Sequence, residues 1–536
     1  MGNPLLKNYN IEKDHFLTGG FNNLWKIYKG SRKDRKQDVC IFVLEKKVLD
    51  KFPQEEREEI LNSLKKEAAA LVKFKHPSIL SIYEQVLEDK QSLIFVTEPI
   101  QYTLSSWIET SGASKLEIKL MITEVCHVLN FLHDDAHVIH GSLNPENIFI
   151  DTQGHIKLSG LGFSLSDPPI SGIECQLNFS LQNSIPNLSY IAPEIVNEQI
   201  ANYQSDIFSM GVIIYNILKK YKNEEKEKEL LNLNSNNSVS SYNRAYEALS
   251  KIVNKLSFEC DDNDVIKRAV NKTVQNRPKI KEYLEHAWFN DPKLKALRFV
   301  ENLETNDANK NNEFLNKFPQ ILGFFEPKII ERRFIPALMN ALKVETLIVS
   351  SLPAIFCICE SQNIKIDFEH TVWPGLKQLF QMKQLPAAAL FYILSKLNFL
   401  SEKISNSEFA ANMLNIICKA LDCNVPKIQS IVMENISFVI KKIDSLAFKN
   451  QIYPRLVNVL LNTNSHSLKL LILKSFTTIY SLLDHTIINE SLLVNLEKVR
   501  KSDNSGEVCI CLANIYEEIA KIVSIEVSIN THVHII

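Results

Sequence analysis

The sequence predicts an α+β, two-lobed N-terminal domain followed by an all-α solenoid of stacked helix pairs. Three observations carry that prediction. Between about residues 10 and 100, short alternating apolar runs flank one charged helical segment. Beyond about residue 115 the pattern is mainly helical. From about residue 300 strand signals vanish, and an apolar pattern returns about every 40 residues.

Composition agrees with that reading. The 536 residues hold only 14 Gly, against a usual share of roughly 7%, as suits a helix-rich chain. Lys plus Arg number 60 and Asp plus Glu 62, a net charge of −2, so nothing favours nucleic acid as a partner. Ten cysteines without a secretory signal read as reduced thiols in a cytoplasmic protein. Cys357-Ile-Cys359 and Cys509-Ile-Cys511 lie in apolar helical runs with no partner pair at zinc spacing, so buried thiols and no metal site are expected. No apolar run is long enough for a transmembrane segment.

Taken in order, residues 1–14 read as an N-terminal extension. Their start, MGNPLL, has Gly2 but Leu6 where a myristoylation signal needs Ser or Thr. Residues 38–47 and 91–100 read as strands. Residues 55–74 read as a helix with Ile60, Leu64, Ala68 and Leu71 on one face. Residues 222–244, charged and then Asn/Ser-rich, read as a flexible surface insertion. The first domain is expected over 15–295 and the solenoid over 296–536.

The repeat supports the solenoid. Leu421, Ile428, Val432, Ile436, Val439 and Ile443 recur as Leu461, Leu468, Ile472, Phe476, Ile479 and Leu483, then as Val508, Leu512, Tyr516, Ile519 and Val523. Ile335-Pro336, Trp373-Pro374 and Tyr453-Pro454 also recur, with Pro expected in the first turn of a helix. A helix-pair period of this length is that of HEAT-type repeats, whose second helices line a concave face.

The motifs of the first domain follow a protein-kinase frame. VIHGSLNPENIFI (138–150) resembles a kinase catalytic loop, with His140, Leu143, Pro145, Glu146 and Asn147 in place. TGGFNNLWKI (18–27) stands where a Gly-rich phosphate loop belongs, keeping Gly19 and Gly20. Phe42 replaces the phosphate-binding Lys, Ser142 the catalytic Asp, Asn144 the following Lys and Gly160 the metal-binding Asp. Glu67, Glu194 of Ala192-Pro193-Glu194, Asp206 and Arg277 keep their kinase places. Glu194, Asp206 and Arg277 read as fold staples, His140 as a core support, and Asn147 as a cap of local backbone. Glu67, without a lysine partner at position 42, has two readings, a pair with Lys46 or Lys47 or a place in solvent, and solvent is the expected one. A degenerate nucleotide cleft would use Gly19, Gly20, Val39, Phe95 and Asn147.

The whole pattern, with VCIFVLEKK (39–47), HGSLNPENI (140–148) and IIERRFIPAL (329–338), resembles the Scy-like (N-terminal kinase-like) pseudokinases, nearest to their coated-vesicle-associated branch. That resemblance implies a role in coat-dependent traffic between trans-Golgi network, endosomes and plasma membrane. Members of the branch extend into a tail carrying clathrin and adaptor contacts, and this chain stops at Ile536, so no residue here carries that contact over.

Phosphoryl transfer rests on positioning and charge stabilisation. Ser142 is no useful base at neutral pH, Asn144 carries no charge, Gly160 offers no metal ligand and Phe42 puts a ring where a cation belongs. A general base alone is worth about 10²–10⁴-fold. The reading is therefore no enzyme and no cofactor, with ATP at most weak and metal-independent. Partners are coat or adaptor proteins or small GTPases, met through the solenoid, with peripheral attachment to Golgi, endosomal or coated-vesicle membranes through those proteins. The alternative is a residual protein kinase using Lys46 or Lys47 for phosphate and Glu67 or Asp151 for metal.

Overall fold

The computed structural model describes residues 8–35, 37–110, 112–169, 171–222, 238–256 and 258–526. The chain divides into two compact units between Arg298 and Phe299. That division falls inside the helix Pro292–Glu301, which runs through the boundary expected at residue 295.

The first unit begins with a six-stranded antiparallel sheet. Its strands are β1 (Tyr9–Ile11), β2 (Leu17–Gly19), β3 (Trp25–Arg32), β4 (Asp38–Glu45), β5 (Ile82–Glu88) and β6 (Ser92–Thr97). Their order is β1-β3-β4-β6-β5, with β2 also on β3. The supposed N-terminal extension is thereby corrected. Residues 9–11 pair with β3, and Tyr9 is buried and donates to Glu84 Oε1 at 2.9 Å. Residues 1–7, with the MGNPLL start, lie outside the described residues.

The two-residue side-chain period splits this sheet into two faces. Tyr28, Val39, Ile41, Val43, Ile94 and Val96 pack on one. Ile27, Cys40, Phe42, Leu44 and Phe95 pack on the other. Helix α1 (Gln54–Lys73) covers that second face with Ile60, Leu64, Ala68 and Leu71, all buried.

The second lobe contains β7 (Ile100–Thr103), α2 (Leu104–Thr110) and α3 (Lys115–Asn130), whose Ser114/Glu117 capping box fixes its start. Strands β8 (Val138–Ile139), β9 (Ile148–Asp151) and β10 (Ile156–Leu158) frame a loop at 140–147. The pattern beyond 115 was expected to be mainly helical; these strands are too short for a periodicity signal. Next come α4 (Pro193–Asn197) and α5 (Tyr203–Tyr221), the buried spine of the lobe. Of the expected flexible insertion, residues 223–237 lie outside the described residues. Its last part is corrected: residues 239–244 begin the helix Val239–Asn254, capped by Ser238 and anchored by the fully buried Tyr242.

The second unit is a two-layer stack of helix pairs. Ile335–Ala341, Trp373–Gln381, Asn406–Asp422, Tyr453–Asn462 and Leu493–Ser502 pack successively in one layer. Glu345–Glu360, Ala387–Ser395, Pro426–Glu434, His466–Ile479 and Gly506–Glu526 do so in the other. Of the repeated apolar positions, those of the first two copies of the repeat are buried except Leu461, which is 41% exposed while Leu460 faces inward, and in the third Val508, Leu512 and Ile519 are buried and Tyr516 is partly buried. The Ile-Pro, Trp-Pro and Tyr-Pro prolines stand in the first turn of their α-helices, as expected. Each follows a π-helical segment, Ile330–Phe334, Phe368–Val372 or Phe448–Ile452, in a continuous helical run. Proline lacks the N–H that the carbonyl four residues earlier needs, and the wider turn accommodates the lost bond. Ion pairs cross between successive repeats at Lys396–Glu360 (2.6 Å), Lys377–Glu408 (3.0 Å), Arg455–Asp422 (2.9 Å) and Lys469–Asp503 (2.9 Å). Cys357 and Cys359 are only half-buried and Cys509 is exposed, which corrects the expectation of buried thiols there.

Candidate functional site

The loop at 140–147 hangs from one buried carboxylate. Asp206, in the first turn of α5, accepts from His133 Nε2 (2.8 Å), His140 N (2.8 Å) and Gly141 N (3.0 Å). Burial alone would raise its pKa; the His133 bond and the neighbouring donors outweigh that and hold it below the usual carboxylate range. His140 is fully buried, with Nε2 at 2.7 Å from Ser159 O and Nδ1 accepting from Ser142 N at 3.3 Å. Burial lowers its pKa, so the ring stays neutral.

The degenerate positions stabilise the loop itself. Asn144 Nδ2 and Asn147 Nδ2 both donate to Ser142 O, at 3.1 and 2.7 Å. Asn144 Oδ1 accepts from Glu146 N, capping the turn Pro145–Asn147. Asn147 is fully buried, and its Oδ1 has no hydrogen-bond partner among the described residues. Gly160 sits at φ +79°, and a Cβ there would overlap the Asn147 carboxamide. The space a metal-binding Asp side chain needs is thus taken.

Glu67 does not face solvent as expected. It is 2% exposed, on the cleft side of α1. Its Oε1 accepts from Gly160 N at 2.7 Å and its Oε2 from Trp25 Nε1 at 3.4 Å. Burial raises its pKa, and those donors offset only part of the effect. With Phe42 in place of a lysine, the carboxyl has turned to neutral N–H groups.

Aromatic rings fill the cleft. Phe42 stacks on Phe95 at 4.8 Å and 15°, and meets Phe149 of β9 edge-on at 5.5 Å. Trp25 closes on Phe95 at 4.8 Å and on Phe42 at 6.1 Å. None of the four is more than 1% exposed. Gly19 lies so close above them that a Cβ would come within 2.7 Å of the Phe149 ring. Gly20 N–H, which in a phosphate loop would face the ligand, donates to Glu146 O at 3.0 Å. Val39 is corrected as a cleft wall: strand alternation sends it to the opposite face with Tyr9 and Ile41. Cys40 holds the cleft side, its Sγ 3.3 Å from Ile100 N and 3.6 Å from Ile100 O.

These residues do not fit a magnesium–nucleotide. The cavity floor and roof touch each other, no cation stands on β4 at position 42, and the Asn147 carboxamide lies against Gly160, where a metal-binding Asp would stand. The alternative ligands are engaged elsewhere: Lys46 Nζ meets Glu88 Oε1 (2.8 Å) and Asp89 O (2.7 Å), Lys47 is exposed, and Asp151 Oδ1 caps its own turn through Gln153 N and His155 N.

Trp25 and Phe149 are the functional residues that motif reading passed over. Their signal was available: Trp25 follows the Gly-rich stretch by five residues, and Phe149 lies two past Asn147. Farther down, Arg277 and Glu194 form a bidentate buried pair at 2.7 and 3.0 Å, with Ser205 Oγ on Glu194 at 2.6 Å and the guanidinium over Phe208.

Comparison with known proteins agrees with this geometry. The model of the protein kinase domain family matches residues 20–289, just over half of the chain. The chain belongs to that family. It is 25% identical over 522 residues to SCY1-like protein 2 of Homo sapiens, covering 93% of this chain and 55% of that protein. It is 26% identical to protein kinase domain-containing protein ppk32 of Schizosaccharomyces pombe, over 92% of this chain and 68% of that one. It is 24% identical to protein kinase-like protein SCY1 of Saccharomyces cerevisiae, over 83% and 61%. These relatives put the chain in the Scy-like branch. The chain spans about half the length of the human relative it matches. Among the described residues of this Scy-like chain, no helix is long and apolar enough to cross a membrane.

Proposed function

We propose that this Scy-like chain is a catalytically inactive scaffold in coat-dependent, clathrin-associated vesicle traffic between trans-Golgi network, endosomes and plasma membrane. The observation that carries the inactive half is the packed stack of Trp25, Phe42, Phe95 and Phe149 where nucleotide would lie. Losing the charged groups at 42, 142, 144 and 160 removes what phosphoryl transfer needs; the stack also removes the room. The residual-kinase alternative is disfavoured because Lys46, Glu67 and Asp151 are bonded away from any shared site.

The traffic half rests on the resemblance that extends through kinase-like unit and solenoid alike. With the cleft inert, binding uses extended surface, and the helix stack supplies it to coat adaptors or small GTPases. The test is localisation in cells. Residues 299–536 should mark Golgi or endosomal puncta while residues 1–298 stay diffuse. The reverse pattern would assign docking to the kinase-like unit and sink this division of labour.

A further inference from the structure

The ring stack does more than exclude a ligand, because it joins the two lobes. Trp25, Phe42 and Phe95 come from the sheet of the first lobe and Phe149 from β9 of the second. Around the rings runs a polar latch. Gly20 N donates to Glu146 O (3.0 Å) and Asn22 Nδ2 to Asn183 O (2.8 Å). Asn183 N in turn donates to Glu56 Oε1 on α1 at 2.6 Å. Phe21 packs on Phe163 with ring centroids 5.1 Å apart, Lys66 Nζ reaches Ser164 O at 2.7 Å, and Glu67 ties Gly160 to Trp25. The Gly-rich loop, α1 and the segment at 160–184 are therefore held to one another by groups of the chain alone.

A ligand shifts a conformational equilibrium only through different affinity for its two states. Nucleotide closes a cleft because it touches both walls; here the walls already touch, and opening them would expose large aromatic surfaces. We propose that the stack of Trp25, Phe42, Phe95 and Phe149, with its latch, substitutes for nucleotide as the element that closes the lobes. The domain then presents one closed conformation at all nucleotide levels, and the surface formed by α1, residues 18–25 and residues 178–188 is permanently assembled. This rests on the inactive-cleft reading and gives it a positive role.

Hydrogen exchange on the full chain tests it. In wild type, peptides covering 17–30 and 178–190 should be protected equally with and without millimolar MgATP or MnATP. In Phe42→Ala those peptides should exchange about tenfold faster or more, while 203–221 keeps its protection, since local opening is cheaper than global unfolding. Benzene should restore part of the protection, as small aromatics enter engineered apolar cavities. Should Phe42→Ala not fold, Phe42→Leu and the exposed-latch variant Asn22→Ala carry the test, with smaller but same-signed accelerations. Folded variants whose 17–30 and 178–190 peptides exchange like wild type would overturn the closure role and leave inactivity standing. Metal-dependent protection of wild type by ATP would overturn both.

Discussion

Two regions of the kinase-like unit have been treated differently by its sequence. Beneath the loop at 140–147, the polar frame is whole: Asp206 with His133 and His140, and Glu194 with Arg277. Above it, the cleft that would have held charges is a packed apolar core of four rings. The contrast shows which polar groups serve the fold. A buried ion whose removal leaves its partner stranded is costly to lose, whatever the domain does. Charges that serve only a ligand can be replaced by hydrophobic burial once no ligand comes.

The largest effects should fall on the frame. Arg277→Ala strands Glu194 in the core and should cost about 3–5 kcal/mol, read as a lower denaturation midpoint of the kinase-like unit. A change under 1 kcal/mol (the surface scale, roughly) would mean that the frame is dispensable. Phe42→Ala should cost a similar 3–5 kcal/mol or so if the cleft is truly core. A cleft built for a ligand would tolerate it far better, so this substitution separates the two regions most sharply.

Gly160→Asp should destabilise by about 1–3 kcal/mol, because the Asn147 carboxamide occupies its place. The fourfold variant Phe42→Lys, Ser142→Asp, Asn144→Lys and Gly160→Asp should remain without kinase activity in a radiolabelled phosphate assay. The rings of Trp25 and Phe149 stay in the way, and catalytic groups need placement within about 0.5 Å.

Titration gives the two regions opposite signs. Asp206 has its pKa depressed in the fold, so its contribution is present above the unfolded value and lost as pH falls through the folded one. Glu67 has its pKa raised by burial, so the folded state binds its proton more tightly. Its contribution is full below the unfolded value of 4.5 and is lost as pH rises toward the folded value. Chemical denaturation from pH 4 to 8 should show the falling component in wild type and not in Glu67→Leu. The smallest effects belong to the solenoid, where Lys396→Ala or Arg455→Ala should each cost about 0–1 kcal/mol, shrinking further in high salt.

Much of the frame was legible in the sequence, for a physical reason. His140, Glu194, Asp206 and Arg277 sit at fixed motif positions because a fold staple tolerates few residue types. The charge losses at 42, 142, 144 and 160 were legible in the same way. What replaced them was not. Glu67 was assigned to solvent because motif reading follows the lost lysine, and the backbone N–H of Gly160 leaves no mark in a sequence. Val39 was assigned to the cleft although its neighbour Cys40, one residue along a strand of period two, faces inward. In the solenoid, the period was visible and the π segments ahead of Pro336, Pro374 and Pro454 were not, since a widened turn has no residue signature of its own.

The central claim is that aromatic packing has replaced nucleotide chemistry in the cleft. Titration calorimetry of ATP into the full chain, with magnesium, with manganese and with neither, tests it most directly. The account predicts no binding that depends on magnesium or manganese, and at most weak binding that is the same in all three titrations. A micromolar dissociation constant that appears only with magnesium or manganese would contradict it.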